Sequence, residues 1–385
     1  MNKALKCPVC KSKSMQQIYL QHFGRCITSD MKVLENAELD NRICKECGLI
    51  YNQKGTREFT ENFYKSSYSL MVGTSNAKIT SFAAKKPISQ AELTFNILNE
   101  KLDLQKGGKI LEAGAGKGEF LKYFKAAHSN WEITAFESST SFEFLKADNP
   151  EATTLKCQYE EFTSDEKFDL IVALGVLEHV QDPLDMLDWA HSKLIEGGIF
   201  YIRVPNFEIN PNDLFCADHL SKLTFSSLKA IANKAGFKVK FKLEKGVPIF
   251  ILLEKQEESL TLKNCYSENL KIVEKNSEIA SSSMDAIVEA RNYANKTGEN
   301  FAIFGLGSVG LFAPFYGDFD SNEITVYLDE NQSVWGKKIH NKEVVGLDYI
   351  KKLNIKHIAL AISPVYYDVV KEKLMKYGVK VYCSK

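Results

Sequence analysis

Short apolar runs alternate with stretches of helical spacing along most of this chain. One run ends in a glycine turn, at Lys109-Ile110-Leu111-Glu112-Ala113-Gly114-Ala115-Gly116-Lys117-Gly118, and the apolar residues that follow predict a helix. Further strands are predicted at 131–136, 153–157, 168–174 and 199–204, with helices between them and a closing strand pair at 237–253. The order βαβαβ predicts a doubly wound, Rossmann-like α/β sheet over residues 90–255.

A second α/β pattern occupies residues 300–385. A strand at Phe301–Phe304 leads into a Gly-x-Gly-x-x-Gly turn made by Gly305, Gly307 and Gly310, and the next strand ends in Asp329. This spacing indicates a second nucleotide-type site. The alternative is a βα unit that serves scaffolding or dimerisation. Residues 256–299 are polar with regularly spaced apolar positions, which predicts a helical connector.

Two Cys-x-x-Cys pairs mark residues 1–57 as a small domain of their own. The four cysteines are Cys7, Cys10, Cys44 and Cys47. Each pair sets two thiolates on one side of a tight turn, so two such turns predict a four-sulfur cage for structural Zn²⁺. A redox role is the alternative. His22 and Cys26 lie between the pairs and are candidate substitute ligands.

Residues 58–89 form an aromatic and polar segment without a clean period, which suits a lid or linker. Tyr64 or Tyr68 is a candidate hydroxyl donor to a ligand, and we take Tyr68 as a candidate catalytic residue. The alternative is that these aromatic side chains anchor the zinc domain on the next domain.

Composition narrows the class of protein. A chain of 385 residues predicts two or three domains. Because Lys plus Arg and Asp plus Glu are both 49, no field toward nucleic acid is expected. The apolar runs are far shorter than the roughly 20 residues that cross a bilayer, and no signal peptide is evident. Nine cysteines, an odd number, argue against a disulfide framework. We therefore expect a cytoplasmic protein.

The glycine turn after the first strand of the core is the leading candidate for cofactor binding. Gly114, Gly116 and Gly118 let the backbone turn sharply and approach a ligand closely. Glu137 follows the second strand, about twenty residues later, where a carboxylate can accept hydrogen bonds from both ribose hydroxyls.

These motifs, with Phe168-Asp169 and Leu177-Glu178-His179-Val180, resemble the class I S-adenosylmethionine-dependent methyltransferases over about residues 90–255. A dehydrogenase also fits the glycine turn, but the Glu-x-Gly-x-Gly form favours a methyltransferase. The resemblance implies that Gly114 and Gly116 lie under the methionine part, that Glu137 holds the ribose, and that Gln158 and Tyr159 flank the adenine. The remaining implied cofactor contacts are Glu112, Ala115, Gly118, Ser138, Leu174 and Gly175.

Two histidines are candidates for a general base. His219 follows Asp218 beyond the ligand edge of the sheet, and a neighbouring carboxylate can orient an imidazole. Adjacent side chains often point apart, however, and a His in a connecting loop is often structural. His179 lies directly after the fourth strand and competes for the same role.

The three-part order resembles a narrower family, the sugar C-methyltransferases that act on nucleotide-linked keto-sugars. That family has a two-knuckle zinc domain, a methyltransferase core and a carboxyl-terminal Rossmann-like domain. Its Tyr-x-Glu-His segment matches Cys216-Ala217-Asp218-His219, where the Tyr is lost and the Glu shortened. Its glycine-rich turn near the last core strands is replaced by Lys245-Gly246-Val247-Pro248.

The sequence thus predicts a methyltransferase that uses S-adenosylmethionine, carries structural zinc and acts on a small molecule, with a nucleotide-linked sugar as the expected acceptor and C- or O-methylation as the reaction. An enzyme that modifies RNA and a non-catalytic nucleotide-binding scaffold are the alternatives. The oligomeric state is left open.

Overall fold

A computed structural model describes residues 5–53, 78–79, 88–243, 248–316 and 319–384. The chain divides into two compact units, each described by itself. The first comprises residues 1–16, 42–206 and 220–269, and the second comprises 17–41, 207–219 and 270–385. Tyr64, Tyr68 and most of the segment 58–89 lie outside the described residues. The five-segment domain division remains a prediction.

The strands, in chain order, are β1 (Met15–Ile27), β2 (Val33–Cys44), β3 (Ile50–Asn52), β4 (Lys78–Ile79), β5 (Ile88–Ser89), β6 (Gly108–Ala113), β7 (Trp131–Phe136), β8 (Thr153–Leu155), β9 (Phe168–Leu174), β10 (Leu194–Pro205), β11 (Ser221–Lys222), β12 (Phe237–Lys242), β13 (Pro248–Lys255), β14 (Asn300–Phe304), β15 (Val326–Leu328), β16 (Lys338–Ile339), β17 (Lys342–Val345), β18 (Ile355–Leu360) and β19 (Lys380–Tyr382).

The α-helices are α1 (Gln90–Lys101), α2 (Glu119–Ala127), α3 (Phe142–Asp148), α4 (Pro183–Lys193), α5 (Phe225–Lys234), α6 (Tyr266–Thr297), α7 (Ser308–Phe312), α8 (Tyr349–Lys352) and α9 (Tyr367–Met375). Short 3₁₀ turns include Tyr159–Glu161 and Pro211–Phe215.

A seven-stranded sheet in the order β12-β13-β10-β9-β6-β7-β8 forms the centre of the first unit. Strands β10, β9, β6, β7 and β8 are parallel to their neighbours, which confirms the Rossmann-like core predicted from the sequence. The closing strand pair predicted at 237–253 is antiparallel, since β13 runs antiparallel to both β10 and β12. Only residues 243–247 separate β12 from β13 in the sequence, and so short a connection allows an antiparallel pair only.

The strand order reverses beside β6. From β6 the chain proceeds outward to β7 and β8, then returns to add β9 and β10 on the other side of β6. In an open α/β sheet such a switch point leaves a crevice at the carboxyl ends of the strands, and ligands bind there. The glycine turn after β6 lies at this end.

Two helices of the first unit begin after residues that cap them. Ser89 caps α1 by accepting a hydrogen bond from the Glu92 amide at 3.0 Å. Asp182 caps α4 in the same way, with Pro183 at the first helical position, where its missing N–H costs nothing. Apolar side chains of α1 and α2 pack on one sheet face with Ile110, Leu170 and Tyr201.

The amino-terminal cysteine segment belongs to the same unit as the seven-stranded sheet. Cys7, Val9, Leu49 and Tyr51 share a buried cluster with core residues that include Leu111. Strand β3 pairs antiparallel with β11. The packing of the cysteine segment therefore depends on the sheet behind it.

The second unit contains a six-stranded sheet in the order β16-β17-β15-β14-β18-β19. Strands β17, β15, β14, β18 and β19 are parallel, and β16 forms an antiparallel hairpin with β17. Its buried strands pack with the later helices in one cluster that includes Phe304, Leu328 and Leu374. Helix α6 covers 32 residues of the segment predicted as a helical connector.

Across the parts of the chain that the structure describes, none of the helices combines the length and the apolar character needed to cross a membrane.

Candidate functional site

The glycine turn after β6 has the backbone that its sequence predicts. Gly114, Gly116 and Gly118 have φ values of 67°, 57° and 74°, in the left-handed region that favours glycine. A Cβ on Gly114 would also lie 2.7 Å from Cγ2 of Val176, so a side chain there is excluded by both conformation and space. The turn therefore presents bare backbone at the crevice of the sheet.

Glu137 ties this turn to the end of β7. Its Oε2 accepts a hydrogen bond from the Gly116 amide at 2.8 Å, and its Oε1 accepts one from the Ser139 amide at 2.7 Å. Each carboxylate oxygen has a second lone pair. Glu137 can therefore hold the turn in place and still accept hydrogen bonds from a ligand's hydroxyl groups.

Glu112 lies at the base of the turn and is only 2% exposed. Burial raises the pKa of its carboxyl group to about 8; Arg203 opposes that rise and Glu137 adds to it. Its Oε2 has no hydrogen-bond partner among the described residues. A buried carboxylate oxygen without a partner is costly, so this atom is suited to a donor supplied by a ligand.

The two residues that were expected to flank the adenine, Gln158 and Tyr159, differ in burial. The ring of Tyr159 is buried against Trp189, with ring centroids 5.7 Å apart, and its hydroxyl donates to Asp185 at 2.9 Å. Gln158 is half-buried and begins the 3₁₀ turn that holds Tyr159. The structure thus leaves Gln158 at the surface of the crevice region, while Tyr159 is part of the core.

The other implied cofactor contacts follow the carboxyl ends of the strands. Ala115 is buried and donates its amide to the Phe136 carbonyl at 2.9 Å. Ser138 follows Glu137 and is half-buried. Leu174 ends β9, and Gly175, with φ 76°, donates its amide to the Arg203 carbonyl at 2.8 Å.

The four predicted zinc ligands lie together. The sulfurs of Cys7, Cys10, Cys44 and Cys47 are all within 4.8 Å of one another. Cys7 and Cys47 have Sγ atoms 3.6 Å apart, and those of Cys10 and Cys44 are 3.4 Å apart, too far for a disulfide. Four thiolates around Zn²⁺ at about 2.3 Å would have sulfurs at about this spacing.

The two cysteine turns repeat one backbone pattern. The Cys7 carbonyl accepts from the Lys11 amide at 3.1 Å, and the Cys44 carbonyl accepts from the Gly48 amide at 2.9 Å. Lys11 and Gly48 both have positive φ, at 60° and 79°. Within the described chain, His22 and Cys26 do not belong to the sulfur cluster.

His219 lies in the second unit and is bonded to a carboxylate that the sequence did not single out. Its Nδ1 is 2.5 Å from Oδ1 of Asp213, six residues earlier. Burial by itself lowers the pKa of His219, but Cys216 and Asp213 outweigh it and hold that pKa well above its usual value. The imidazole is therefore protonated more readily than that of an ordinary histidine.

Asp218 has other partners. Its Oδ1 accepts from the Ser29 amide and its Oδ2 accepts from the Ser29 hydroxyl, both at 2.7 Å, and the Cys216 thiol donates to Oδ1. The carboxylate bonded to Nδ1 of His219 is thus Asp213, and Asp218 fixes the segment around Ser29. His179 belongs to the first unit, where its amide closes a turn onto the Val176 carbonyl at 2.9 Å. Tyr68 lies outside the described residues.

The second glycine turn, in the second unit, packs closely against Ala361 and Ile362. A Cβ on Gly307 would overlap the Ala361 carbonyl oxygen, which also accepts the Gly307 amide at 2.9 Å. Gly305 and Gly310 are closed off in the same way by Ile362 and Ala361. Helix α7, which follows, has five residues. Asp329 caps the Asn331 amide at 2.7 Å. Internal packing therefore accounts for these glycines.

Two residues near the candidate sites were missed from the sequence. Arg203 is the charged residue in the apolar strand Ile199-Phe200-Tyr201-Ile202-Arg203-Val204, and that interruption was the available signal. Asp213 carried no such signal, because only the 3₁₀ turn Pro211–Phe215 brings it back to His219.

Residues 89–240 match the family whose model is described as a methyltransferase domain. The match spans under half of the chain and covers β6 to β10 with the whole glycine turn. None of the curated proteins matches the chain in sequence.

Solved structures similar to this chain align with under half of it. The YcgJ protein from Bacillus subtilis is 12% identical, with 43% of this chain and 100% of that chain covered and a TM-score of 0.38. An O-methyltransferase family protein from Burkholderia thailandensis is 10% identical, with coverage of 43% and 56% and a TM-score of 0.38. The mitomycin 7-O-methyltransferase MmcR is 14% identical, with coverage of 42% and 53% and a TM-score of 0.38.

Proposed function

We propose that this protein is an S-adenosylmethionine-dependent methyltransferase that acts on a small molecule. The observation that carries the proposal is the glycine turn held by Glu137 at the switch point of the sheet, inside the range that matches a methyltransferase domain. The residues present fit this cofactor. Glu137 has lone pairs for the ribose hydroxyls, the glycine turn presents backbone without side chains at the ligand edge of the sheet, and Oε2 of Glu112 has no partner among the described residues.

S-adenosylmethionine supplies a methyl group on a sulfonium, which is transferred by in-line displacement. The chain's own groups then have to align the acceptor and manage its proton. For a keto-sugar acceptor, a base removes a proton beside the carbonyl and a donor stabilises the enolate oxygen. The raised pKa of His219 makes its imidazole a weaker candidate for the base, so we keep His179 of the first unit as the candidate base.

The acceptor we propose is a nucleotide-linked sugar, modified at carbon or oxygen. The support is the resemblance of the three-part chain to nucleotide-sugar C-methyltransferases, including the retained His219. The second glycine turn does not add to this support, because its glycines are accounted for by packing on Ala361 and Ile362. For residues 300–385 this packing favours a scaffolding role. A nucleotide-sugar that co-purifies with the full chain, found by native mass spectrometry, is the direct test of the acceptor.

The four cysteines are proposed to hold a structural Zn²⁺. Support comes from the sulfur spacing and from the matching backbone pattern of the two turns. Four thiolates complete a tetrahedral site and leave no position for a reacting water, so a role in holding the fold is expected.

Calorimetry with S-adenosylhomocysteine tests the cofactor assignment. Wild type should bind, and Glu137→Gln should bind at least about tenfold more weakly, because the amide has one acceptor oxygen where the carboxylate has two. Glu143→Gln, on the exposed face of α3, is the matched control and should bind as wild type does. Absence of binding to a folded wild type would overturn the proposal.

A further inference from the structure

Arg203 places a positive charge at the carboxyl end of the sheet in the first unit. Its partner in the parallel β9 strand is Leu174, and its carbonyl oxygen accepts the Gly175 amide at 2.8 Å. A Cβ built on Gly175 would lie 3.5 Å from Arg203 Nη2 and 3.6 Å from Glu178 Oε1. The guanidinium therefore lies directly against the glycine that follows β9.

Arg203 and Glu112 lie on the same face of the sheet. Glu112 is level with Val172 in β9, and Val172 is level with Tyr201 in β10. Arg203 follows Tyr201 by two residues, and side chains two apart in a strand share a face. The charge of Arg203 is close enough to lower the pKa of Glu112. A cation and a carboxyl group thus share one face of the sheet near the carboxyl ends of its strands.

Among the described residues, one buried acceptor at this end of the sheet has no donor. Glu112 is 2% exposed, and its Oε2 has no hydrogen-bond partner there. An ammonium group of a ligand would satisfy this oxygen, and a guanidinium on the same face of the sheet is suited to an anionic group of that ligand.

An α-amino acid carries an ammonium and a carboxylate on one carbon, which matches this pair of side chains. On the basis of the proposed function, we infer that Arg203 binds the carboxylate of the cofactor's amino acid part, while Glu112 accepts hydrogen bonds from its ammonium group. Arg203 is thus a cofactor-binding residue in addition to those predicted from the sequence.

The experiment compares three probes by calorimetry on the full chain. They are S-adenosylmethionine, its decarboxylated form, which keeps the amine, and methylthioadenosine, which lacks the amino acid altogether. Wild type should bind S-adenosylmethionine about 10- to 100-fold more tightly than the decarboxylated form, the range expected for a charged hydrogen bond to a carboxylate.

Arg203→Met should remove that preference. Its affinity for S-adenosylmethionine should fall by about 10- to 100-fold, while its affinities for the other two probes stay within about twofold of wild type. Arg203→Lys keeps the positive charge but loses the planar guanidinium that binds a carboxylate through two N–H groups, so an intermediate preference is expected. If Arg203→Met does not fold, Arg203→Lys replaces it as the test variant. Lys238→Met, an exposed position on β12 of the same sheet, is the matched control for loss of one positive charge.

The outcomes separate this inference from the proposed function. If wild type binds none of the three probes, both are overturned. If wild type binds but Arg203→Met and Arg203→Lys keep the preference for the carboxylate form, the inference alone is overturned. An equal loss of affinity for all three probes in both variants would also overturn it, because that result indicates damage to the fold of the site.

Discussion

At the scale of single residues, the role of each carboxylate in this protein depends on the group that it binds. Glu137 accepts hydrogen bonds from the Gly116 amide of the glycine turn and from the Ser139 amide, whereas Oε2 of Glu112 has no partner among the described residues. Asp213 binds His219 at 2.5 Å, whereas Asp218, which directly precedes His219, binds Ser29. The carboxylate nearest in sequence is therefore not the one that is bonded to the imidazole.

The protonation of His219 is testable at this scale. With a folded pKa raised above the unfolded value, His219 stabilises the fold at low pH, and this contribution is lost as pH rises through the folded pKa. Asp213→Asn keeps an acceptor oxygen but removes the charge. We expect it to lower the pKa of His219, so that the loss of stability begins at lower pH.

Histidine-selective NMR titration of the full chain, which has seven histidines, measures this pKa directly. Asp218→Asn is the matched control and should shift the His219 titration less than Asp213→Asn does. A wild-type His219 that titrates at or below the ordinary value for histidine would contradict the raised pKa and would restore His219 as a candidate base.

At the scale of elements, two glycine turns with similar sequences have different surroundings. The turn after β6 packs beside the Val176 side chain and is tied by Glu137 to the end of β7. The turn after β14 is closed by the backbone of Ala361 and leads into a helix of five residues. A glycine pattern thus predicts close backbone approach, but the approaching group can be a ligand or the protein's own next strand.

Gly307→Ala tests the packing role. Gly307 has φ −66°, which any residue adopts, so the penalty comes from the contact with the Ala361 carbonyl alone. We expect a loss of about 2–3 kcal/mol in the free energy of unfolding, in the range for overpacked sites. Urea denaturation followed by circular dichroism measures it.

Gly378→Ala is the comparison variant, since its φ is 71° but nothing lies within 4 Å of a Cβ there. It should lose only about 1 kcal/mol, the cost of a left-handed backbone. If Gly307→Ala is as stable as wild type, the packing explanation fails and a ligand role for the turn after β14 regains support.

At the scale of the whole molecule, the cysteine segment and the seven-stranded sheet share one hydrophobic core in the first unit. Val9, Leu49 and Tyr51 pack in the same cluster as Leu111 and Phe200, so the cysteine turns are buttressed by the sheet. A metal that holds these turns together should therefore stabilise the methyltransferase domain as well as the amino-terminal segment.

Loss of the metal is the corresponding prediction. Cys44→Ser should purify without zinc and unfold about 10 °C below wild type, since a metal bound only by the folded state stabilises it. Elemental analysis by mass spectrometry and differential scanning fluorimetry give the two readouts. Cys157→Ser removes a half-buried thiol of the same unit and should keep one zinc per chain. Wild type that contains no zinc and is indifferent to a strong chelator would rule the metal out.

The sequence by itself determined most of the local structure and the order of the core. The strands at Trp131–Phe136 and Phe168–Leu174 have the bounds predicted for them, since apolar runs bounded by turn residues are local signals. The spacing within each Cys-x-x-Cys pair likewise fixed which thiols could share a metal, because two intervening residues set the turn.

Only the tertiary structure decided how distant residues are paired. The antiparallel edge of the sheet, the Asp213 partner of His219 and the approach of Arg203 to the glycine end of β9 all depend on contacts between separate segments. Oε2 of Glu112, which has no partner among the described residues, is buried by the surrounding fold. The turn at Gly307 is closed by Ala361, which is distant in sequence. Periodicity reports which face of an element is buried, whereas the identity of the neighbour depends on the whole fold.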